Sequence, residues 1–234
     1  MATTKVNGLN IYYEIHGDGQ PLVLIPGLSN NVAEYAGFIA SLANKHKVIA
    51  IDNRGAGRTD KPDTPYSIEM MADDSAGVLG ALSLGPGHIL GVSMGGRIAA
   101  ALTLAHPKLV RSLILVSTAL RRQEPMTWAG RFTRLSLRIP LLRRMDKYPQ
   151  PYYAAMRQLE ASRSYDCSDR LGEIHVPTLI LHGRKDRVAP YELAQEMHAG
   201  IQGSKMITFN GGHLFPFFQP RQFTDEVAGF LDGA

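Results

Sequence analysis

The chain is poor in the residues that cross-link or anchor a protein. It has one cysteine, Cys167, in 234 residues, so no internal disulfide forms and no thiolate cluster can hold a metal. No apolar run approaches the ~20 residues that a membrane-crossing helix needs. Its first residues, Met1 to Gly8, are polar and unlike a secretory leader. Internal repeats and low-complexity tracts are missing too. Gly55-x-Gly57 lacks the rest of a dinucleotide fingerprint, and no lysine completes a phosphate loop at the serine motif described below. These absences predict a cytoplasmic chain in a reducing compartment that needs no metal and no cofactor.

What is present describes one domain of ordinary make-up, 44% hydrophobic with a formal charge of +4. The charge is uneven. Residues 119–170 hold eleven Lys or Arg against five Asp or Glu, a net +6, which leaves −2 for the remainder. That stretch also carries Trp128, Phe132, Tyr148, Tyr152 and Tyr153 and is interrupted at Ile139-Pro140. Its composition predicts two short helices inserted over a core built from residues 1–118 and 171–234. Arg121-Arg122 and Arg143-Arg144 lack a reading helix or stacking platform around them, which argues against nucleic acid.

Short continuous apolar runs at 22–25, 48–51, 113–116 and 178–181 fit strands buried on both faces. Helical patterns alternate with them, at 34–43, from a Ser67 cap to 82, at 191–199 and at 221–231. Residues 9–14 are expected as an edge strand and 205–209 as the last strand. This is an α/β pattern: a mostly parallel central sheet, helices on both faces, and sites at the carboxyl ends of the strands.

The motif that organises the chain is His88-Ile89-Leu90-Gly91-Val92-Ser93-Met94-Gly95-Gly96, followed by a helix-favouring run to Ala105. A serine between glycines is by itself a weak signal, common in loops. Placed between an apolar strand and a helix, it requires a sharp turn with Ser93 at its apex, strained and exposed above the sheet. Gly91 and Gly95 permit the close approach of strand and helix. The Met94 N–H, free at the helix start, points toward whatever the hydroxyl attacks.

A serine hydroxyl needs a base, and the base needs an acid to orient it. His213 follows the last strand through Asn210-Gly211-Gly212, where a tight turn swings the ring toward the site. His182 precedes Gly183-Arg184-Lys185-Asp186 and is expected to brace that loop. His16, His46, His88, His106, His175 and His198 are expected at surface or structural positions. Asp186 has two readings, a surface ion pair with Lys185 or Arg187 and the acid of a triad; the order serine, acid, histidine favours the second. No acid follows the preceding strand at Val116-Ser117-Thr118-Ala119. Oxyanion donors are expected in the N–H groups of Leu28, after Pro26-Gly27, and Met94. In the loop from Asp52 to Asp60, Asp52 and Arg54 are expected as braces.

Together with Ala105-His106-Pro107-Lys108-Leu109-Val110 and Gly211-Gly212-His213, these motifs resemble the α/β-hydrolase superfamily over essentially the whole length. The similarity is narrowest to small esterases, enol-lactonases and carbon–carbon bond hydrolases. It implies a serine carboxylic-ester hydrolase working through an acyl-enzyme, with residues 119–170 as a short helical lid. Serine in place of aspartate sets the chain apart from the dehalogenase branches. One departure concerns the oxyanion loop: family members usually carry His-Gly where this chain has Pro26-Gly27.

Trp128, Phe132, Leu137, Tyr153, Met156 and Phe215 are candidates to line an acyl pocket, each equally readable as core packing. Lactone hydrolysis is the neighbouring alternative. The basic lid has two readings, a solvated face and a docking surface for an acidic carrier protein, as in the methyl esterase of biotin synthesis. Carbon–carbon hydrolysis lacks identifiable polar lid residues. From a different class, a receptor on this fold would keep the triad and sense a small molecule.

Overall fold

The computed structural model describes residues 2–122 and 147–233. Its strands are β1 (Ala2–Val6), β2 (Leu9–His16), β3 (Gln20–Ile25), β4 (His46–Ile51), β5 (Gly87–Val92), β6 (Val110–Val116), β7 (Thr178–Gly183) and β8 (Lys205–Phe209). They form one sheet in the order β1-β2-β4-β3-β5-β6-β7-β8. The strands from β4 to β8 in that order are mutually parallel, while β1 and β2 run antiparallel to their neighbours.

The period-2 geometry of a strand sorts each apolar run onto two faces. Val23, Ile25, Ile49, Ile51 and Ile89 join α2 (Ile68–Ala81), α3 (Met94–Ala105) and α5 (Tyr191–Gly200) in one core layer. Leu22, Leu24, Val48, Ala50 and Leu90 join α1 (Ala36–Leu42) and α6 (Pro220–Leu231) in the other. The helix α4 (Tyr152–Ser164) lies within the expected insertion. Ile139-Pro140 and the helix expected before it fall outside the described residues. Among the described residues, no helix is long and apolar enough to cross a membrane.

Residues 9–14 are not at the edge of the sheet. β1 covers β2, joined to it by Asn7 and Gly8 with φ of 49° and 80°. Two central residues with positive φ make the tight hairpin turn whose twist suits antiparallel strands. The first helical segment also begins earlier than expected. Asn31 forms a capping box with Glu34, and a 3-10 turn Val32–Tyr35 runs into α1, whose Phe38, Ile39 and Leu42 are buried. In α6 the buried positions are Phe223, Val227 and Leu231.

The ends of the insertion stand side by side. The Cys167 N–H donates to the Leu120 carbonyl at 2.9 Å. Arg97, buried on α3, donates to the Tyr165 carbonyl at 2.8 Å and to the Arg121 carbonyl at 3.2 Å.

Candidate active site

Ser93 sits between β5 and α3 with φ 55° and ψ −116°, a conformation costly for any residue with a Cβ. The surroundings enforce it. The Ser93 N–H donates to the Val116 carbonyl at 2.8 Å, and the Thr118 hydroxyl donates to the Ser93 carbonyl at 2.7 Å. A Cβ on Gly91 would strike the Gly95 carbonyl, and one on Gly95 would strike the carbonyl of Ile25. The turn exists because those two positions carry no side chain.

The structure brings Ser93, His213 and Asp186 together. His213 Nε2 lies 3.0 Å from the Ser93 hydroxyl, and its Nδ1 lies 2.7 Å from Asp186 Oδ2. The other Asp186 oxygen accepts the N–H groups of Val188 and Ala189 at 2.8 and 2.9 Å. The Asp186 side chain is 0% exposed, so the carboxylate is spent inward. An acceptor facing Nδ1 puts the imidazole proton there and leaves a lone pair on Nε2 for the serine proton. Ser117 donates its hydroxyl to the His213 carbonyl at 2.8 Å. The two residues that follow β6, Ser117 and Thr118, thereby hold the histidine and serine loops.

His182 braces the acid loop. Its Nε2 lies 2.9 Å from the Ala189 carbonyl and 3.4 Å from Asp186 Oδ2. Burial holds its imidazole below the ordinary histidine range.

The loop after β3 holds the other candidate donor. Among the described residues, neither the Leu28 nor the Met94 N–H has an acceptor. Pro26 offers no imidazole to stiffen this loop, and other groups take that place. The Tyr35 hydroxyl accepts the Gly27 N–H at 3.2 Å and donates to Asn30 Oδ1 at 3.3 Å. Asn53 donates to the Pro26 carbonyl at 3.0 Å. Gln158 of α4 accepts the Ser29 N–H at 3.0 Å. Asn53 belongs to the 52–60 loop, whereas Tyr35 and Gln158 carry no motif in the sequence.

Asp52 and Arg54 act as braces. Asp52 accepts the N–H groups of Val32 and Arg58 at 2.7 and 2.8 Å, and burial raises its carboxyl despite them. Arg54 makes a paired contact with Asp74.

The pocket candidates divide. Trp128, Phe132 and Leu137 lie outside the described residues. Tyr153 is exposed and donates its hydroxyl to the Lys61 carbonyl at 2.7 Å. Met156 is half-buried on α4. Phe215 is buried and stacked on Phe209, with ring centroids 4.2 Å apart. Of the basic insertion, Arg121, Arg157 and Arg170 pair with Glu196, Asp63 and Glu173. Arg131, Arg134, Arg138, Arg143 and Arg144 lie outside the described residues. Among the described residues, no group of three His, Cys, Asp or Glu side chains is arranged to hold a metal ion.

Comparison with known proteins agrees with this fold. A family model for the alpha/beta hydrolase fold matches residues 20–139, and one for serine hydrolases (FSH1) matches residues 85–224. A protein of Azorhizobium caulinodans, provisionally named as the carbamate hydrolase RutD, is 29% identical, with 94% of each chain covered. An esterase from Exiguobacterium antarcticum is 27% identical, with a TM-score of 0.88 and 99% of each chain covered. The enol-lactonase of Burkholderia xenovorans LB400, 24% identical, superposes with a TM-score of 0.89 over 98% of this chain and 99% of its own. That last likeness is one of fold.

Proposed function

The chain belongs to the α/β-hydrolase family, and from that premise we propose that it hydrolyses a small or medium carboxylic ester through an acyl-enzyme. The observation that carries the reading is the unbroken contact from the Ser93 hydroxyl through His213 to the buried carboxylate of Asp186. Ser93 attacks the ester carbonyl as Nε2 of His213 takes its proton. Asp186 holds the resulting imidazolium, and the N–H groups of Leu28 and Met94 receive the oxyanion. His213 returns the proton to the departing alkoxide, then activates water to release the acid and restore Ser93.

In this reading residues 119–170 form the lid over a core of 1–118 and 171–234. Arg97 and the Leu120–Cys167 bond support it, since they close the feet of the insertion. The acyl group lies beneath the lid, with Met156 of α4 beside it.

A carbamate is the second reading, favoured by the relative named for carbamate hydrolysis, because its carbonyl meets the same serine and the same donors. An acidic carrier protein has less behind it, because three of the lid's arginines already pair with carboxylates.

The test is turnover of p-nitrophenyl esters from acetate to palmitate, several lactones and an aryl carbamate, each blanked with Ser93→Ala. Serine-dependent ester turnover with a short- or medium-chain optimum supports the proposal. A preference for lactone or carbamate moves the substrate class. Inertness toward all of them, from folded protein, overturns hydrolysis of small substrates and leaves a receptor or a carrier-bound substrate. A carrier-bound ester would show itself by a steeper loss of rate with salt than a small neutral ester.

A further inference from the structure

Gln158 is 0% exposed in the middle of α4, among the inward-facing Ala154, Ala155 and Leu159. An apolar residue would pack there without the cost of burying a carboxamide. The carboxamide is instead hydrogen-bonded through both its oxygen and its nitrogen. Its Oε1 accepts the Ser29 N–H at 3.0 Å and Gln150 Nε2 at 3.1 Å, and its Nε2 donates to the Arg54 carbonyl at 2.7 Å. Gln150 Nε2 also donates to the Gly55 carbonyl at 2.6 Å. These partners fix the orientation of the amide. Turned over, Gln158 would set its NH2 against two donors and its oxygen against a carbonyl.

The consequence falls on the peptide planes of the oxyanion loop. The plane joining Pro26 and Gly27 is held at both ends, its oxygen by Asn53 and its N–H by Tyr35. The plane joining Leu28 and Ser29 is held through its N–H by Gln158. The plane between them carries the Leu28 N–H; its Gly27 oxygen accepts the Asn30 N–H at 3.2 Å within the turn, and the side-chain clamps on the neighbouring planes constrain its direction from both sides. Ser29 has a φ of 61°, a region unfavourable for serine, so the loop does not keep that shape by local preference. Two of the clamps come from the core, and the third comes from the helix of the insertion.

We propose that Gln158 is a positioning residue that aims the Leu28 N–H at the oxyanion, so that the hole is complete only when α4 is seated. This inference rests on the esterase-type reading above and extends it. It makes seating of the helix a condition for chemistry as well as for enclosing the substrate.

The test uses Gln158→Leu and Gln158→Glu in the full chain, with three readouts. The first is kcat and KM on an ester that the wild type turns over, together with the affinity of an alkyl boronic acid, which forms a tetrahedral adduct on serine. In Gln158→Leu, kcat and boronate affinity are expected to fall about 10–100-fold with KM within about threefold, the scale of a misplaced catalytic group. The second is amide hydrogen exchange, expected to quicken across residues 27–31 and to stay unchanged across 87–105. The third is pH. The carboxyl introduced by Gln158→Glu can donate to the Arg54 carbonyl only when protonated, so its kcat relative to wild type should rise as pH falls.

Wild-type kcat in Gln158→Leu, unchanged exchange at 27–31, or a flat pH ratio overturns the proposal. If Gln158→Leu does not fold, Gln158→Glu carries the same readouts. If the wild type hydrolyses nothing, the esterase reading fails separately, and exchange at residues 27–31 alone decides for or against Gln158.

Discussion

One oxygen of Asp186 lies 2.7 Å from Nδ1 of His213, while its other oxygen accepts two backbone N–H groups of its own loop. The carboxylate cannot turn without abandoning Val188 and Ala189. It therefore presents the imidazole with one fixed acceptor, and the tautomer of His213 follows from the fold of the acid loop.

Asp186→Asn tests that division. The amide oxygen will keep the two N–H donors, because an NH2 group facing them is repelled. Its NH2 then faces His213 and selects the tautomer with the proton on Nε2, which cannot accept from Ser93. We expect kcat to drop roughly 10³–10⁴-fold with the fold intact. A drop of less than tenfold would place the acid elsewhere. Ser93→Ala should abolish turnover with little change in melting temperature.

Tyr35→Phe removes the acceptor of the Gly27 N–H and the donor to Asn30. Tyr35 is buried, so the orphaned N–H should cost about 1–3 kcal/mol of stability. Turnover should fall with it, because the first clamped plane of the oxyanion loop is released. Urea midpoints and kcat, measured on the same preparation, check both. Stability lost without any loss of kcat would confine Tyr35 to the core.

The positions of Ser93, Asp186 and His213 are legible in sequence because each follows an apolar strand, and a parallel sheet brings such ends to one edge. Asn7-Gly8 is a hairpin signal too, but the strand before it, Ala2-Thr3-Thr4-Lys5-Val6, has too little apolar character to mark itself. The cap at Asn31 is equally local, and the apolar face of Phe38, Ile39 and Leu42 alone points to a later start. Ser117, Thr118, Asn53, Tyr35 and Gln158 are a different matter. Their partners are backbone atoms outside their own elements, from eight residues away for Tyr35 and Gly27 to 129 for Gln158 and Ser29, and no spacing or residue type announces such a pairing. Scaffold and chemistry are written in periodicity, whereas the groups that aim the donors appear only once the chain is folded.

Asp74 joins three segments. It takes Arg54 through two bonds of 2.6 and 2.7 Å, and accepts Asn7 of the first hairpin at 3.0 Å. The Arg54 and Asp74 side chains are 9% and 5% exposed, so removing one partner strands a buried charge. Asp74→Ala should destabilise the protein by roughly 3–5 kcal/mol, and the double variant Arg54→Met/Asp74→Leu should recover most of it. Denaturant titration of the three proteins reads the difference. Additive losses in the double variant would show that the pair is not what the site requires.

Acid should weaken the fold through two histidines at the opposite edge of the sheet from Ser93. His88, at the start of β5, is buried with Nδ1 2.8 Å from the Ser112 hydroxyl. Burial, with Arg111 and His46 nearby, lowers its pKa from 6.5 to about 4. His46 is buried with neither ring nitrogen hydrogen-bonded, and burial lowers it as well. An unfolded chain protonates both near pH 6.5, whereas the folded chain holds them neutral to lower pH. Between about 6.5 and 4 the unfolded state thus binds more protons, and stability falls as pH falls; above that window these two groups leave it unchanged. Each unit of displacement is worth about 1.4 kcal/mol. Melting temperature against pH should slope through this window in the wild type and flatten in His88→Gln, whose amide can still meet Ser112. An identical slope in both proteins would remove His88 as a source of acid sensitivity.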